Sequence, residues 1–481
     1  MHTPSHTLLA PVDPFDRIGR WLAPAAILGM DLFCVFVYMK FASLTAVFGI
    51  IAFLLLVFLI SFSARNSLIA LFSLASMIPV YSWGSRYKFF RGISYHDILV
   101  YIFLSLIIVW ALFDRLSGER RETGRWSAME INLILFLVYV VLMMLRGLVQ
   151  NGNGQIIYNE THHLLLYSFF FVYARLLSDR DIRVLLYSIP FITFIVSVEF
   201  MLLVASEGGF SSVFVKRIIT QQPHLAQAAV PLLLATFLLP RKSIRLWALT
   251  ALIPTAAMVF FCQQRGLWVG IFLATVLVVI FTVLKNRFTL LRVLKIISVL
   301  VLILALLVAI LLVVDRLVTG SVFLTLFQRL FSLTTVGTDA SMSIRMSEIG
   351  RALDQWDDNI ITIVFGTGLG SEYETVDMSR TYGYSVDNSF AYLLWKTGLV
   401  GLMLFVFLYA RAIVQGFSLL RLELPAEDRY VASALTAALI GLCFIAFTNA
   451  CIVSYRFIMI WSLMICALNR IHTVHLSSRR S

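Results

Sequence analysis

Apolar residues occur along this chain in long runs, separated by short polar breaks, and not in alternation. Runs of about 18 or more apolar residues are long enough, as helices, to cross the hydrocarbon layer of a bilayer. The pattern predicts spans near 21–39, 42–62, 68–83, 97–113, 129–149, 163–177, 184–205, 225–239, 248–264, 265–284, 296–314, 389–410, 431–452 and 457–470. Short alternating segments of the kind that build a membrane barrel do not appear. The expected fold class is therefore all-α: a polytopic integral membrane protein of about 12–14 transmembrane helices. Several stretches are short enough to enter and leave on one side.

One long polar segment interrupts the apolar pattern. Residues 315–388 separate an N-terminal bundle, 1–314, from C-terminal helices and a short tail, 389–481. Basic residues orient the whole. With both termini inside, Arg17, Arg65, Arg121, Arg175, Arg183, Arg241, Lys285, Arg411, Arg429 and Arg470 fall on the inner side, as positively charged loops do. Residues 315–388 are then an external subdomain, on the periplasmic face if the membrane is a bacterial inner membrane. The first 20 residues contain no continuous apolar core and no small-residue cleavage site, so the first helix is expected to serve as its own insertion signal.

Composition narrows the function. The chain is 60% hydrophobic and 13% charged, with a net charge of +12. Loop Lys and Arg account for that charge. No basic run interleaved with aromatics suggests nucleic acid. All five cysteines lie in predicted spans, with neither a disulfide framework nor zinc spacing. No phosphate-binding loop ending in Lys-Ser/Thr is present, so an ATPase is excluded. Gly366, Gly368 and Gly370 follow no strand of a βαβ unit and read as a tight turn with close backbone approach. Any reaction must use a substrate that carries its own leaving group. No carboxylate cluster has metal geometry, and no metal or cofactor is expected.

Several polar residues stand where chemistry is plausible. Gln263, Gln264 and Arg265 break an apolar stretch; an arginine there either snorkels to headgroups or holds an anionic substrate group. Arg345 opens a helix in the long loop, three residues before Glu348. It is either half of a solvated pair or a second anion-binding arginine near a helix start. Asp387 and Asn388 precede a span, either as helix caps or as a general base and its neighbour. Lys216, Arg217 and His224 lie in another outer segment, with Arg86, Lys88 and Arg91 in a third; such charge attracts either a pyrophosphate or lipid headgroups. Asp31 and Glu199 are carboxylates within spans.

These motifs resemble the O-antigen polymerase and O-antigen ligase superfamily of bacterial envelope glycosyltransferases. Gln264-Arg265-Gly266 matches its arginine after a polar pair, and Arg345 matches the arginine of its loop helix. The glycine turn matches at Gly366, Gly368 and Gly370, and the closing motif at Asp387, Asn388, Gly398 and Gly401. The resemblance covers about 214–402; the N-terminal spans match in hydropathy alone. It implies a donor glycan linked through pyrophosphate to undecaprenol, with Arg265 and Arg345 on the pyrophosphate. It also implies membrane lipids as surroundings and, as partners, a chain-length regulator and a flippase. Ligases of this kind place a histidine in the closing motif. Here Asp387 stands in its place and 315–388 contains no histidine, which favours a polymerase. Substrate contacts are assigned to Asn388, Arg217, Lys216, Gln264, His224, Gly368, Gly370 and Glu348, and sugar stacking to Tyr373, Tyr382, Tyr384 or Trp356. The rivals are a ligase acting on lipid A-core, a lipid-oligosaccharide flippase, and a non-catalytic export partner. A transporter should show two related halves, and none is visible.

Overall fold

The computed structural model describes residues 126–206, 224–286, 340–374 and 382–480, apart from 176, 239–241 and 263, with isolated positions at 65, 68, 69, 72, 88–90, 93, 94 and 298. The predicted spans near 21–39, 42–62 and 97–113 lie outside these residues, as do nearly all of 68–83 and 296–314.

The described chain is helical almost throughout. Helix α1 (Ala128–Gln150) starts at a capping box: the Glu130 amide donates to Ser127 Oγ at 3.2 Å and the Ser127 amide to Glu130 Oε2 at 2.6 Å. These bonds satisfy orphan donors of the first turn. The predicted span at 163–177 is not one helix. It is built as α2 (Gly154–Leu165), a 3₁₀ turn (Leu166–Ser168) and α3 (Phe169–Arg175). Apolar content signals burial there but not an unbroken axis. Next come α4 (Asp179–Ser206), α5 (His224–Leu238), α6 (Lys242–Phe261) and α7 (Arg265–Asn286). Prolines 190, 231 and 254 sit inside α4, α5 and α6, where neighbouring helices tolerate them.

The polar segment contributes α8 (Ala340–Trp356), α9 (Ile360–Phe365) and a small antiparallel pair, Tyr373–Glu374 with Tyr382–Gly383. A second two-stranded pair joins Lys88–Phe90 to Ile93–Ser94. Helices α10 (Ser389–Arg421), α11 (Ala426–Thr448) and α12 (Tyr455–Arg480) complete the chain. Among the described residues six helices are long and apolar enough to cross a membrane, which makes this an all-α polytopic membrane protein.

The two ends of the bundle differ in chemistry. At one end Arg175 pairs with Glu130 at 2.6 Å, Arg65 with Asp181 at 3.4 Å, and Arg470 with Asp179. Arg470 also donates to the carbonyls of Tyr173, Ala174 and Leu177, closing the C-terminal end of α3. These arginines are ones that the charge bias groups on a single side. At the other end the α1–α2 link, the start of α7, the glycine turn, the start of α10 and the end of α11 meet. Between the ends, Phe136, Tyr167, Phe405, Tyr409 and Trp461 form an aromatic core.

Candidate active site

The site is built at that second end. The break between α6 and α7 is as the polar pair predicts. Trp268 of α7 reaches back, its indole N–H donating to the Val259 carbonyl at 2.7 Å and its ring stacking on Phe260. Cys262 Sγ bonds the same carbonyl. The orphan C-terminal carbonyls of α6 are thereby engaged. Arg265 is left as the first residue of α7, half-buried, and Gln264 Oε1 is buried with no hydrogen-bond partner among the described residues. A buried acceptor without a donor is a position that ligand or water fills.

Neighbouring contacts bring the start of α7 to the start of α10. A Cβ on Gly266 would overlap Thr448, the last residue of α11. The next residue, Asn449, accepts through its carbonyl from Ser389 Oγ at 2.7 Å. Ser389 begins α10, directly after Asp387 and Asn388. The capping of α10 falls to Asn388 alone: its Oδ1 accepts from the amides of Phe390 and Ala391, both at 3.0 Å. Asp387 is thus free of the capping role, and its Oδ2 lies 3.0 Å from Nε of Arg345. Both side chains are partly exposed. Glu348 is half-buried one turn further along α8.

The glycine turn lies alongside. Gly366, Gly368 and Gly370 have φ of 76°, 85° and 83°, and Gly398, inside α10, has φ of 65°. Gly398 breaks the helical hydrogen-bond ladder, so α10 is two helices joined by a kink. The break releases carbonyls that the turn then takes up. Thr367 N–H donates to Trp395 O at 2.9 Å, Gly368 N–H to Lys396 O at 3.1 Å, and Tyr139 Oη to Thr397 O at 2.8 Å. Leu369 N–H donates to Met143 O of α1. A Cβ on Gly366 would stand 2.5 Å from Gly398 N and from the Lys396 carbonyl, so only glycine permits this crossing. The turn is a structural one, as its spacing predicts. The amides of Gly368 and Gly370, singled out above for substrate, both have partners inside the protein.

One pair of residues was not singled out from the sequence. Lys396, fully buried in α10, lies 2.8 Å from Glu160 Oε1 of α2 and 4.0 Å from the Trp395 ring centroid. Its Nζ donates to Ser371 O, while Glu160 Oε2 accepts from Gly370 N–H at 2.7 Å. Burial pushes the Glu160 carboxyl above its ordinary range, against the opposing pull of the Lys396 ammonium and the Gly370 amide. The signal available was a lone lysine in a span and a lone glutamate beside one, each requiring a partner.

Among the aromatic candidates, Tyr373 is buried on Trp395 with its hydroxyl donating to Ser385 O, and Trp356 donates to Ile363 O. Tyr384 is exposed, and Tyr382 is described only as part of its strand. His224 opens α5. Glu199 is buried within α4. Lys216, Arg217, Gln263, Asp31, Arg86 and Arg91 fall outside the described residues, and Lys88 is placed only in its strand.

The stretch from α6 to the kink of α10 has known counterparts. Residues 249–406 match the model of the O-antigen ligase family. The matched region holds Arg265, Arg345, the glycine turn, Asp387, Asn388 and Lys396; Glu160 lies outside it. Over that region, about a third of the chain, the protein is similar to the O-antigen ligase family. No curated protein gives a match.

Proposed function

We propose that this protein polymerises oligosaccharide repeat units carried on undecaprenyl pyrophosphate, at the outer face of the bacterial inner membrane. The observation that carries the reading is the Arg345–Asp387 pair, at 3.0 Å, beside the start of α10 and at the same end of the bundle as Arg265. An anion-binding group and a carboxylate in contact suit a reaction that expels pyrophosphate and takes up a proton.

In this mechanism Arg265 and Arg345 hold the donor pyrophosphate and offset the charge that develops on it. The pair with Asp387 uses Nε of Arg345, so the guanidinium meets phosphate through its terminal nitrogens. Phosphate on those terminal nitrogens draws on the guanidinium charge and loosens its hold on the Asp387 carboxylate. Asp387 then accepts the proton of the acceptor sugar hydroxyl. The hydroxyl oxygen bonds to the anomeric carbon, and the bond from that carbon to the pyrophosphate oxygen breaks, its electron pair leaving with undecaprenyl pyrophosphate. Attack opposite the leaving group inverts the anomeric centre, and no metal is needed. Gln264, Asn388, Glu348 and the exposed ring of Tyr384 contact sugar or phosphate, with Lys216, Arg217 and His224 drawing the donor in.

A second reading is a ligase that moves the finished polymer to lipid A-core. The matched family model, described as O-antigen ligase, favours it. Purified protein incubated with lipid-pyrophosphate repeat units separates the two. A ladder of lengthening products on a gel supports the polymerase. Transfer to added lipid A-core without a ladder supports the ligase. No product with either acceptor overturns both.

A further inference from the structure

Further along α10 from the partly exposed Arg345–Asp387 pair lies the buried Lys396–Glu160 pair. Removing two charges from water costs several kcal/mol per ion, and a buried ion pair adds little net stability. Its placement points to another role. Each partner holds one backbone group of the glycine turn, with opposite polarity: Glu160 accepts from Gly370 N–H and Lys396 donates to Ser371 O. The two arms that carry the site both depend on this turn. Glu372, at its end, accepts through its carbonyl from Gln355 Nε2 at 2.8 Å, and Gln355 Oε1 in turn accepts from Trp395 Nε1 at 3.1 Å. Gln355 belongs to α8, which carries Arg345. Trp395 and Lys396 belong to the first segment of α10, which follows Asp387 after the capping Asn388. The register between Arg345 and Asp387 is therefore set at the far ends of the two segments, where the turn is clamped.

We infer that Lys396 and Glu160 are positioning residues: a buried ion pair that locks the turn against the kinked helix and so holds Arg345 and Asp387 in reach of each other. This rests on the proposed glycosyl transfer for its effect on turnover, but the clamp itself is independent of it.

The test uses the full chain in detergent or nanodiscs. Single changes leave one buried charge alone and risk misfolding, so the decisive variant is the double Lys396→Met, Glu160→Gln, which removes both charges and keeps an acceptor for Gly370. It should fold with a thermal midpoint near wild type. Its 366–372 peptide should exchange amide hydrogens faster than wild type. Per mole of folded protein its turnover should fall by roughly 10²-fold with the donor KM little changed, as a small misplacement of reacting groups does. The swapped pair, Lys396→Glu with Glu160→Lys, should not restore turnover, because the backbone partners keep their polarity. Unchanged exchange at 366–372, wild-type turnover in the folded double variant, or full rescue by the swap each overturns the inference. If wild-type protein makes no glycan, the proposed function fails, while the exchange measurement still decides the clamp.

Discussion

Arg345 on α8 and Asp387 ahead of α10 are 42 positions apart in sequence and form an ion pair, Nε to Oδ2, at 3.0 Å. Asn388 provides the helix cap that either residue of the Asp-Asn pair was able to supply. A substitution at Asp387 therefore tests chemistry without disturbing a cap. Asp387→Asn should leave the thermal midpoint close to wild type and lower turnover by about 10²–10⁴-fold. Asn388→Ala should do the converse in part, lowering helix stability by about 1 kcal/mol. Near-normal glycan synthesis by Asp387→Asn would remove Asp387 from the reaction and turn attention to Glu348, Asp354 and Glu372.

The arginines make a separate prediction about binding. If Arg265 and Arg345 hold pyrophosphate, each Arg→Ala change should weaken affinity for lipid-linked donor by about 10- to 100-fold, the range for a lost hydrogen bond to a charged group. Arg→Lys keeps the charge but loses the planar fork, and should recover only part of the loss. Titration of the donor into purified variants reads this directly. Wild-type affinity in both Ala variants would place the pyrophosphate elsewhere.

The glycine turn and the kink predict a contrast within one residue type. Gly366 and Gly398 both have positive φ, and a Cβ on either would meet the other's backbone. Gly366→Ala or Gly398→Ala should destabilise the fold by about 1–3 kcal/mol. Gly350, inside α8, has open space where its Cβ would stand. There the same change should stabilise by about 0.5–1 kcal/mol, through helix propensity alone. Thermal midpoints of the three variants, measured side by side, check the contrast. Loss of stability at Gly350 equal to that at Gly366 would mean that the crossing of turn and kink is not what demands glycine.

Hydropathy made the helices legible, and the polar break at Gln264–Arg265 located the α6–α7 junction, because charge within an apolar run is rare enough to stand out. Residues 163–177 misled for the same reason. An apolar run shows that a segment is buried, and says nothing of the 3₁₀ turn at Leu166–Ser168 that redirects it. The glycine spacing revealed a turn, but its partner, Gly398, looked like an ordinary residue of a helix. Only the three-dimensional crossing explains both. Arg345 and Asp387 were each visible as candidates, though nothing in their spacing told that they touch. Lys396 and Glu160 were passed over because each is a lone charge, and their pairing spans α2 and α10.

The arrangement of helix ends makes a prediction about sidedness. The glycine turn, the start of α10 and the end of α11 share one end of the bundle, while Glu130, Asp179, Arg175 and Arg470 share the other. The charge bias assigns the arginine-rich end to the cytoplasm. Asp357, exposed beyond the end of α8, should then face outward, and Glu423, exposed in the link between α10 and α11, should face inward. Ser371, despite lying in the polar segment, is buried and would report poorly. In a background free of other cysteines, Asp357→Cys should react with an impermeant thiol reagent in intact spheroplasts, and Glu423→Cys only after lysis. The native Cys262, Cys451 and Cys466 are buried, so wild-type protein should give little signal from them. The reverse pattern would put the candidate site on the cytoplasmic face. A donor presented at the outer surface could not then reach it, and the proposed polymerisation would be excluded together with the topology.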